Sequence, residues 1–155
     1  MGSRGSVIPM FQECARLGKP MPLTDKRMTR FWISLDQAVD FIMDSFRIME
    51  GGELYVPRIP SMKLVDLANA ISPGTEITEI GMRPGEKLHE EMISADDSRR
   101  TILLGTRYVV TPLVAEWGYT TPSGTQMEEG LAYRSDTNDL WMTQDDIRKL
   151  IEMSE

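Results

Sequence analysis

The fold of this chain can be read first from residues 31–57, which run FWISLDQAVDFIMDSFRIMEGGELYVP. Ser34 stands where a helix N-cap belongs, and Gln37, three residues later, completes the pattern of a capping box. Apolar residues then recur at steps of four and three, which predicts a single stripe along one helix face: Leu35, Val39, Ile42, Phe46 and Met49. A glycine pair follows the stripe. The stretch therefore predicts an amphipathic helix that begins after Ser34 and ends before these glycines.

Helix and strand patterns alternate on both sides of this helix. Further helices are predicted at 8–17, after Ser61 as a cap, at 86–93, and after Thr143 as a cap. Short strands are predicted at 31–33, 53–56, 76–80, 101–104 and 108–111. This order predicts a small α/β unit in which helices prevail, with too few long strands for a complete doubly wound sheet. We expect residues 1–155 to form one domain, with a loop-rich stretch at 113–140 where no clean period is visible.

Composition excludes several classes of protein. The chain has 155 residues, a formal net charge of -7, one Cys and one His, and 41% of its residues are hydrophobic. One Cys cannot form an internal disulfide, and a Cys–His zinc site lacks ligands. The acidic charge argues against non-specific nucleic-acid binding. Neither a membrane span nor a secretory signal is visible, so we expect a cytoplasmic protein.

Most catalytic and cofactor motifs are missing from the sequence. A glycine-rich dinucleotide turn is absent, and residues 81–87 fail the spacing of a P-loop. No tyrosine is followed four residues later by lysine, and no Gly-x-Ser-x-Gly elbow occurs. His89 lies among charged residues, which favours a surface or hydrogen-bonding role over catalysis. Cys14 is predicted to be an inert packing thiol.

Three polar segments combine arginine with chain-breaking residues, at 2–6, 24–30 and 83–87. Arginine suits phosphate because its planar guanidinium stays ionised and gives paired hydrogen bonds. The first segment also precedes a predicted helix, whose N-terminal amides could face an anion. An acidic chain with such clusters is compatible with a phosphorylated small ligand. From spacing alone, solvated surface arginines with incidental ion pairs are the simpler interpretation.

A series of longer motifs gives these segments more meaning. They are GSRGSVIP at 2–9, RMTRFWI at 27–33, VPRIPSMK at 56–63, RPGEKLHE at 83–90, SDTN at 135–138, and Trp141. In this order they closely resemble the C-terminal half of the inverting UDP-N-acetylglucosamine 4,6-dehydratases, members of the extended short-chain dehydrogenase/reductase superfamily. The resemblance covers nearly the whole chain.

The resemblance implies an enzyme built in two parts. In the family, an N-terminal Rossmann part holds NADP and the catalytic Tyr, Lys, Asp and Thr, and a C-terminal part closes over the UDP-sugar. This chain resembles the second part. The expected fold is therefore a small, helix-rich substrate-binding lobe without the complete NAD(P)-binding Rossmann sheet. The family's catalytic and cofactor-binding residues have no counterparts here, so we expect no catalytic residue and no cofactor site.

The resemblance also implies a UDP-binding site. Arg30 matches the family's arginine on the pyrophosphate, and Arg83 matches the second arginine that contacts the diphosphate. Glu86 matches the acidic residue that contacts the uridine ribose, and Thr24 is expected near the uracil. Many related epimerases have Asp after the first arginine, whereas Phe31 follows Arg30 here, as in the dehydratases.

The implied function is the UDP-N-acetylglucosamine-binding portion of a 4,6-dehydratase-like protein in the synthesis of pseudaminic acid, a bacterial surface sugar. With one wall of the cleft only, we expect weak or no UDP-sugar affinity and no turnover. The family's lobe packs on its Rossmann part through apolar surface, so we expect self-association or association with a Rossmann-containing chain. A stand-alone interaction module or regulator of an intact dehydratase, and a non-functional remnant, are the alternatives.

Overall fold

The computed structural model describes residues 7–114 and 117–152. Its α-helices are α1 (Val7–Arg16), α2 (Leu35–Ile48), α3 (Leu64–Ile71) and α4 (Gln144–Glu152). Its strands are β1 (Met21–Leu23), β2 (Thr29–Phe31), β3 (Leu54–Pro57), β4 (Ser61–Lys63), β5 (Ile77–Glu79), β6 (Glu91–Ile93), β7 (Thr101–Leu104), β8 (Arg107–Val110), β9 (Thr125–Gln126) and β10 (Tyr133–Arg134). Within these residues, no helix combines the length and apolar character that crossing a bilayer requires. The structure is mixed α/β.

The larger hydrophobic core lies between α1, α3 and α4, and β1 packs against it. Helix α3 contacts both other helices, and its Leu67 and Ala68 are almost completely buried. Phe11 of α1 and Ile147 of α4 fill the same core, as the predicted helical spacing requires. Cys14 packs at its edge as a partly buried free thiol. The three helices therefore share one core, and β1 packs on it.

The strands form one four-stranded sheet and three two-stranded pairs. The sheet has the order β3-β8-β7-β9 and is antiparallel throughout. Strands β2 and β4 pair antiparallel, as do β6 and β10, whereas β1 and β5 pair parallel. A second, smaller core joins the sheet to β6 and β10 through Val56, Ile93, Val110 and Tyr133. Most of these strands have three or four residues. Several of the pairs join segments that are distant in the sequence, such as β1 with β5 and β6 with β10.

Helix α2 confirms the predicted capping box but leaves its apolar stripe uncovered. The Ser34 side chain accepts a hydrogen bond from the Gln37 amide, and the Gln37 side chain accepts one from the Ser34 amide. No residue of α2 is fully buried. The exposed large apolar side chains of this region are Leu35, Val39, Ile42, Met43, Phe46, Ile48 and Met49. The stripe is present as predicted, and within the described residues nothing buries it.

Several other predicted elements are confirmed within a residue or two at their ends. Strand β7 has the predicted bounds, and β3, β5 and β8 differ by a residue or two at most. Helix α4 begins after Thr143, whose side chain accepts a hydrogen bond from the Asp146 amide at 3.2 Å. The stretch predicted as loop-rich contains β9 and β10, with two residues each.

Three predicted elements are wrong in position or type. The strand predicted at 31–33 is β2, two residues earlier, because the Thr29–Phe31 backbone pairs with β4. Ser61 does not cap α3: it lies buried inside β4, where its hydroxyl accepts a hydrogen bond from Asn138. The helix predicted at 86–93 does not form. Its backbone instead bonds to residues distant in the sequence, and its last three residues form β6.

Candidate functional site

A cavity of about 410 Å³ opens where β1, β2 and the loop after β5 meet. All four residues that the sequence predicts for UDP binding, Thr24, Arg30, Arg83 and Glu86, line it. The rest of the wall is mainly apolar and comprises Val7, Met10, Pro22, Leu23, Phe31, Trp32, Leu64 and Ile80. The structure thus joins two of the three arginine-containing segments in one cavity. The third, at 2–6, lies outside the described residues.

The parallel pairing of β1 with β5 explains how these segments meet. Leu23 and Glu79 are register partners, and the Ile80 amide donates a hydrogen bond to the Leu23 carbonyl at 2.9 Å. Both strands therefore end at the same edge. Thr24 follows the first strand directly, and the loop that contains Arg83 follows the second.

Glu86 fixes the conformation of this loop. Its amide donates to the Arg83 carbonyl at 3.0 Å, and its carboxylate accepts from the Arg83 amide at 3.2 Å. The turn passes through Gly85, whose φ of 83° is a left-handed conformation that favours glycine. The Thr24 hydroxyl donates to the other carboxylate oxygen at 3.1 Å. The carboxylate is thereby oriented beside the cavity, where its remaining lone pairs can accept from hydroxyl groups.

The two arginines of the cavity have different surroundings. The side chain of Arg30 is 22% exposed, and its guanidinium donates to the backbone carbonyls of Thr29, Lys87 and Leu88 at 2.7, 2.9 and 3.1 Å. Arg83 is exposed, and no hydrogen bond or ion pair holds its side chain among the described residues. The guanidinium of Arg30 is therefore held in the cavity wall by backbone carbonyls, whereas that of Arg83 is free to rotate toward a ligand.

The remaining charges of the 24–30 segment form their own pair. Arg27 donates to both carboxylate oxygens of the buried Asp25, at 3.0 and 2.6 Å. These side-chain hydrogen bonds, with one from the Arg27 amide, lower the pKa of Asp25 to about 2. Arg27 is therefore a structural residue, and Arg30 is the arginine of this segment that reaches the cavity.

A polar network surrounds Thr29, the residue before Arg30, and it was not predicted from the sequence. The Thr29 hydroxyl lies 2.8 Å from His89 Nδ1 and 2.7 Å from the buried Ser135 hydroxyl. Ser135 accepts a hydrogen bond from the Glu90 amide at 2.9 Å. His89 therefore has the hydrogen-bonding role that its charged surroundings suggested. The partners are too far apart in the sequence for any local pattern to reveal them.

The SDTN motif also has a structural position that spacing does not reveal. The Asn138 amide nitrogen donates to the Ile59 carbonyl, the Ser61 hydroxyl and the Leu140 carbonyl, at 2.9, 3.0 and 2.9 Å. It therefore ties residues 59–61 to the segment that contains Asn138 and Leu140.

The described residues do not fit a dinucleotide cofactor. Such a site needs a glycine-rich turn between a strand and the N-terminus of a helix. None of the direct strand-to-helix connections in the described part of the chain, β2 to α2, β4 to α3, and β10 to α4, contains a glycine. No reaction step involving NADP is therefore assigned to these residues.

Comparison with known proteins links this arrangement to sugar-nucleotide enzymes. The family model described as polysaccharide biosynthesis protein matches residues 1–112. The inverting UDP-N-acetylglucosamine 4,6-dehydratase of Campylobacter jejuni subsp. jejuni serotype O:2 is 42% identical across 100% of this chain and 49% of its own length. A UDP-glucose 4-epimerase of Rickettsia akari is 36% identical over 70% of this chain and 33% of its own length.

A solved structure also matches the fold of the chain. The X-ray structure of Pen from Bacillus thuringiensis matches with a TM-score of 0.80 and 29% identity, over 99% of this chain and 47% of that chain. The chain spans about half the length of the first two dehydratases it matches. With the family model matching residues 1–112, the chain belongs to the polysaccharide biosynthesis protein family, and it resembles the family's inverting UDP-N-acetylglucosamine 4,6-dehydratases.

Proposed function

We propose that this chain is the UDP-sugar-binding portion of a 4,6-dehydratase-like protein that acts in the cytoplasm in the synthesis of pseudaminic acid, a bacterial surface sugar. Homology to the dehydratases supports a role of this type in polysaccharide biosynthesis. The observation that carries the proposal is the cavity where Thr24, Arg30, Arg83 and Glu86 converge. Thr24 and Arg30 come from one segment of the sequence, and Arg83 and Glu86 come from another.

The chemistry of the cavity suits a nucleoside diphosphate. The positive charges of Arg30 and Arg83 attract a diphosphate, and a guanidinium can bind its oxygens through paired hydrogen bonds. The oriented carboxylate of Glu86 can accept from ribose hydroxyls. The apolar wall beside Thr24 offers a surface for the face of a uracil ring. UDP-N-acetylglucosamine is the substrate we propose.

The role proposed for this chain is positioning. Binding the diphosphate holds the sugar in one orientation, and such remote binding energy can lower the barrier at the reacting carbons. The dehydration itself needs a base and a hydride carrier, for which the described residues provide no site. We therefore expect no turnover by the chain alone, and UDP-sugar affinity no tighter than the millimolar range.

The proposal is tested by titrating the ¹⁵N-labelled chain with UDP-N-acetylglucosamine and following its amide resonances. Shifts are expected at the cavity. Arg83→Gln is expected to weaken binding about tenfold, because a charge-assisted hydrogen bond contributes about 1.5–3 kcal/mol. Arg148→Gln, on the exposed face of α4, is the matched control and should leave affinity unchanged. Micromolar affinity, dehydration on addition of NADP, or equal losses in both variants would contradict the proposal.

We also propose that the uncovered face of α2 is a docking surface for a Rossmann-containing chain. This α2 face consists of Leu35, Val39, Ile42, Phe46 and Met49. A shallow apolar cleft of about 190 Å³ lies along it, lined by Phe41, Ile42, Ser45, Phe46, Met49 and Tyr55. Adjacent apolar residues on a surface favour burial by a partner.

Two further observations support this choice of partner. The relatives are about twice as long as this chain, so in them the matching region is accompanied by a second half. Strand β3, which follows α2, is an edge strand with β8 on one side only among the described strands. An open strand edge beside an apolar helix face suits the addition of another sheet. Without that half, we expect the chain to self-associate through the same α2 face.

A further inference from the structure

We propose that Arg30 acts in this site as a positioning residue. It fastens the loop of residues 81–90 to β2, and the hydrogen bonds to the diphosphate are left to Arg83. This inference deepens the proposed function and rests on it for the identity of the ligand. It starts from the number of donors that Arg30 has available.

A guanidinium has five N–H groups, and the two terminal nitrogens of Arg30, which carry four of them, contact four protein atoms. Nη1 donates to the carbonyls of Thr29 at 2.7 Å and Leu88 at 3.1 Å. Nη2 donates to the Lys87 carbonyl at 2.9 Å and points toward the Met28 sulfur at 4.0 Å. Nε forms an ion pair with Glu90, whose nearest carboxylate oxygen lies 3.4 Å away. A bidentate contact with phosphate through both terminal nitrogens would require breaking at least one hydrogen bond to a backbone carbonyl.

These bonds connect β2 to the far end of the loop that lines the cavity. The near end of the loop is held to β1 by the bond between the Ile80 amide and the Leu23 carbonyl. The far end is held by Arg30 and by the bond from the Thr29 amide to the Leu88 carbonyl at 3.2 Å. Arg83 and Glu86 lie between these two attachments. The position of both residues therefore depends on the hydrogen bonds from Arg30 to the carbonyls of Lys87 and Leu88, which we call the Arg30 clamp.

The geometry also indicates why arginine is required. Three carbonyls lie around one planar group, and a fork-shaped cation can donate to all of them at once. A lysine ammonium has the same charge but cannot reproduce the spread of these donors. Arg30→Lys therefore removes the clamp and keeps the charge, which separates positioning from electrostatic attraction.

The experiment compares ligands with and without phosphate. Affinities for uridine and UDP are measured by amide-shift titration of the full chain, in the wild type, Arg30→Lys and Arg83→Gln, with Arg148→Gln as control. Arg83→Gln is expected to weaken UDP about tenfold and leave uridine unchanged. Arg30→Lys is expected to weaken both ligands by the same factor, about threefold or more, because a loosened loop also misplaces Glu86. Loss of UDP affinity alone in Arg30→Lys would overturn the proposal.

Hydrogen exchange without ligand provides a second readout. In Arg30→Lys the amides of residues 86–90 should exchange at least threefold faster, whereas Arg83→Gln should leave them unchanged. Unchanged exchange in Arg30→Lys would overturn the clamp. Faster exchange in a chain that binds neither uridine nor UDP would retain the clamp and refute the proposed function. If Arg30→Lys does not fold, Glu90→Gln, which removes the carboxylate beside Nε, is expected to give the same exchange pattern with a smaller increase.

Discussion

At the scale of single residues, Tyr133 joins Ile59, in the connection between β3 and β4, to the second core. It is 4% exposed, its hydroxyl accepts from the Ile59 amide at 2.9 Å and donates to the Ile59 carbonyl at 3.0 Å, and burial raises its pKa to about 12. Tyr133→Phe leaves a partly buried amide unpaired, so we expect about 1–3 kcal/mol of lost stability in urea unfolding. The control is Tyr55→Phe, whose hydroxyl bond to the Ile48 carbonyl is long, at 3.5 Å. Equal losses in both variants would contradict this assignment.

At the scale of elements, α2 depends on its cap more than the other helices do. It has no buried residue, whereas α4 is anchored by Ile147 and Leu150. Removing a cap costs about 1 kcal/mol. Ser34→Ala should therefore speed hydrogen exchange of the α2 amides about fivefold through local opening and leave α3 unchanged. In the matched variant Thr143→Ala, the cost should appear mainly in global unfolding. If the α2 amides of Ser34→Ala exchange as slowly as those of α3, the stability of α2 does not depend on its cap, and this prediction is wrong.

At the scale of the whole molecule, the α2 face governs association. We expect sedimentation velocity to show self-association that rises with concentration, because burying several large apolar side chains removes apolar area from water. The double substitution Ile42→Lys and Phe46→Lys should shift the chain toward monomer. Leu113→Lys is the control, since Leu113 is also strongly exposed, at 84%, but is not part of the α2 face. A monomer at all concentrations would contradict the expected self-association through the α2 face.

Addition of a Rossmann-containing half of a family member should replace self-association with a one-to-one complex. The double Lys variant should not form this complex.

Features that depend on neighbouring residues could be predicted from the sequence alone. The capping box at Ser34, the helix after Thr143 and the strand at 101–104 all follow from residues a few positions apart, so their patterns are visible in one dimension. The family resemblance, carried by motifs that include Arg30 and Arg83, implies that both arginines contact one ligand, and in the structure both line one cavity. The partners that these features contact, in contrast, depend on how the whole chain folds. Residues 86–90 have a helical pattern, but their backbone bonds to Thr29, Arg30 and Ser135 instead. The apolar stripe on α2 has the pattern of a core-facing surface, but its side chains are exposed. The resemblance assigns Arg30 to the pyrophosphate, but its guanidinium donates to three backbone carbonyls. Burial and hydrogen-bond partners depend on segments that the fold brings together, and no pattern along the chain contains those distances.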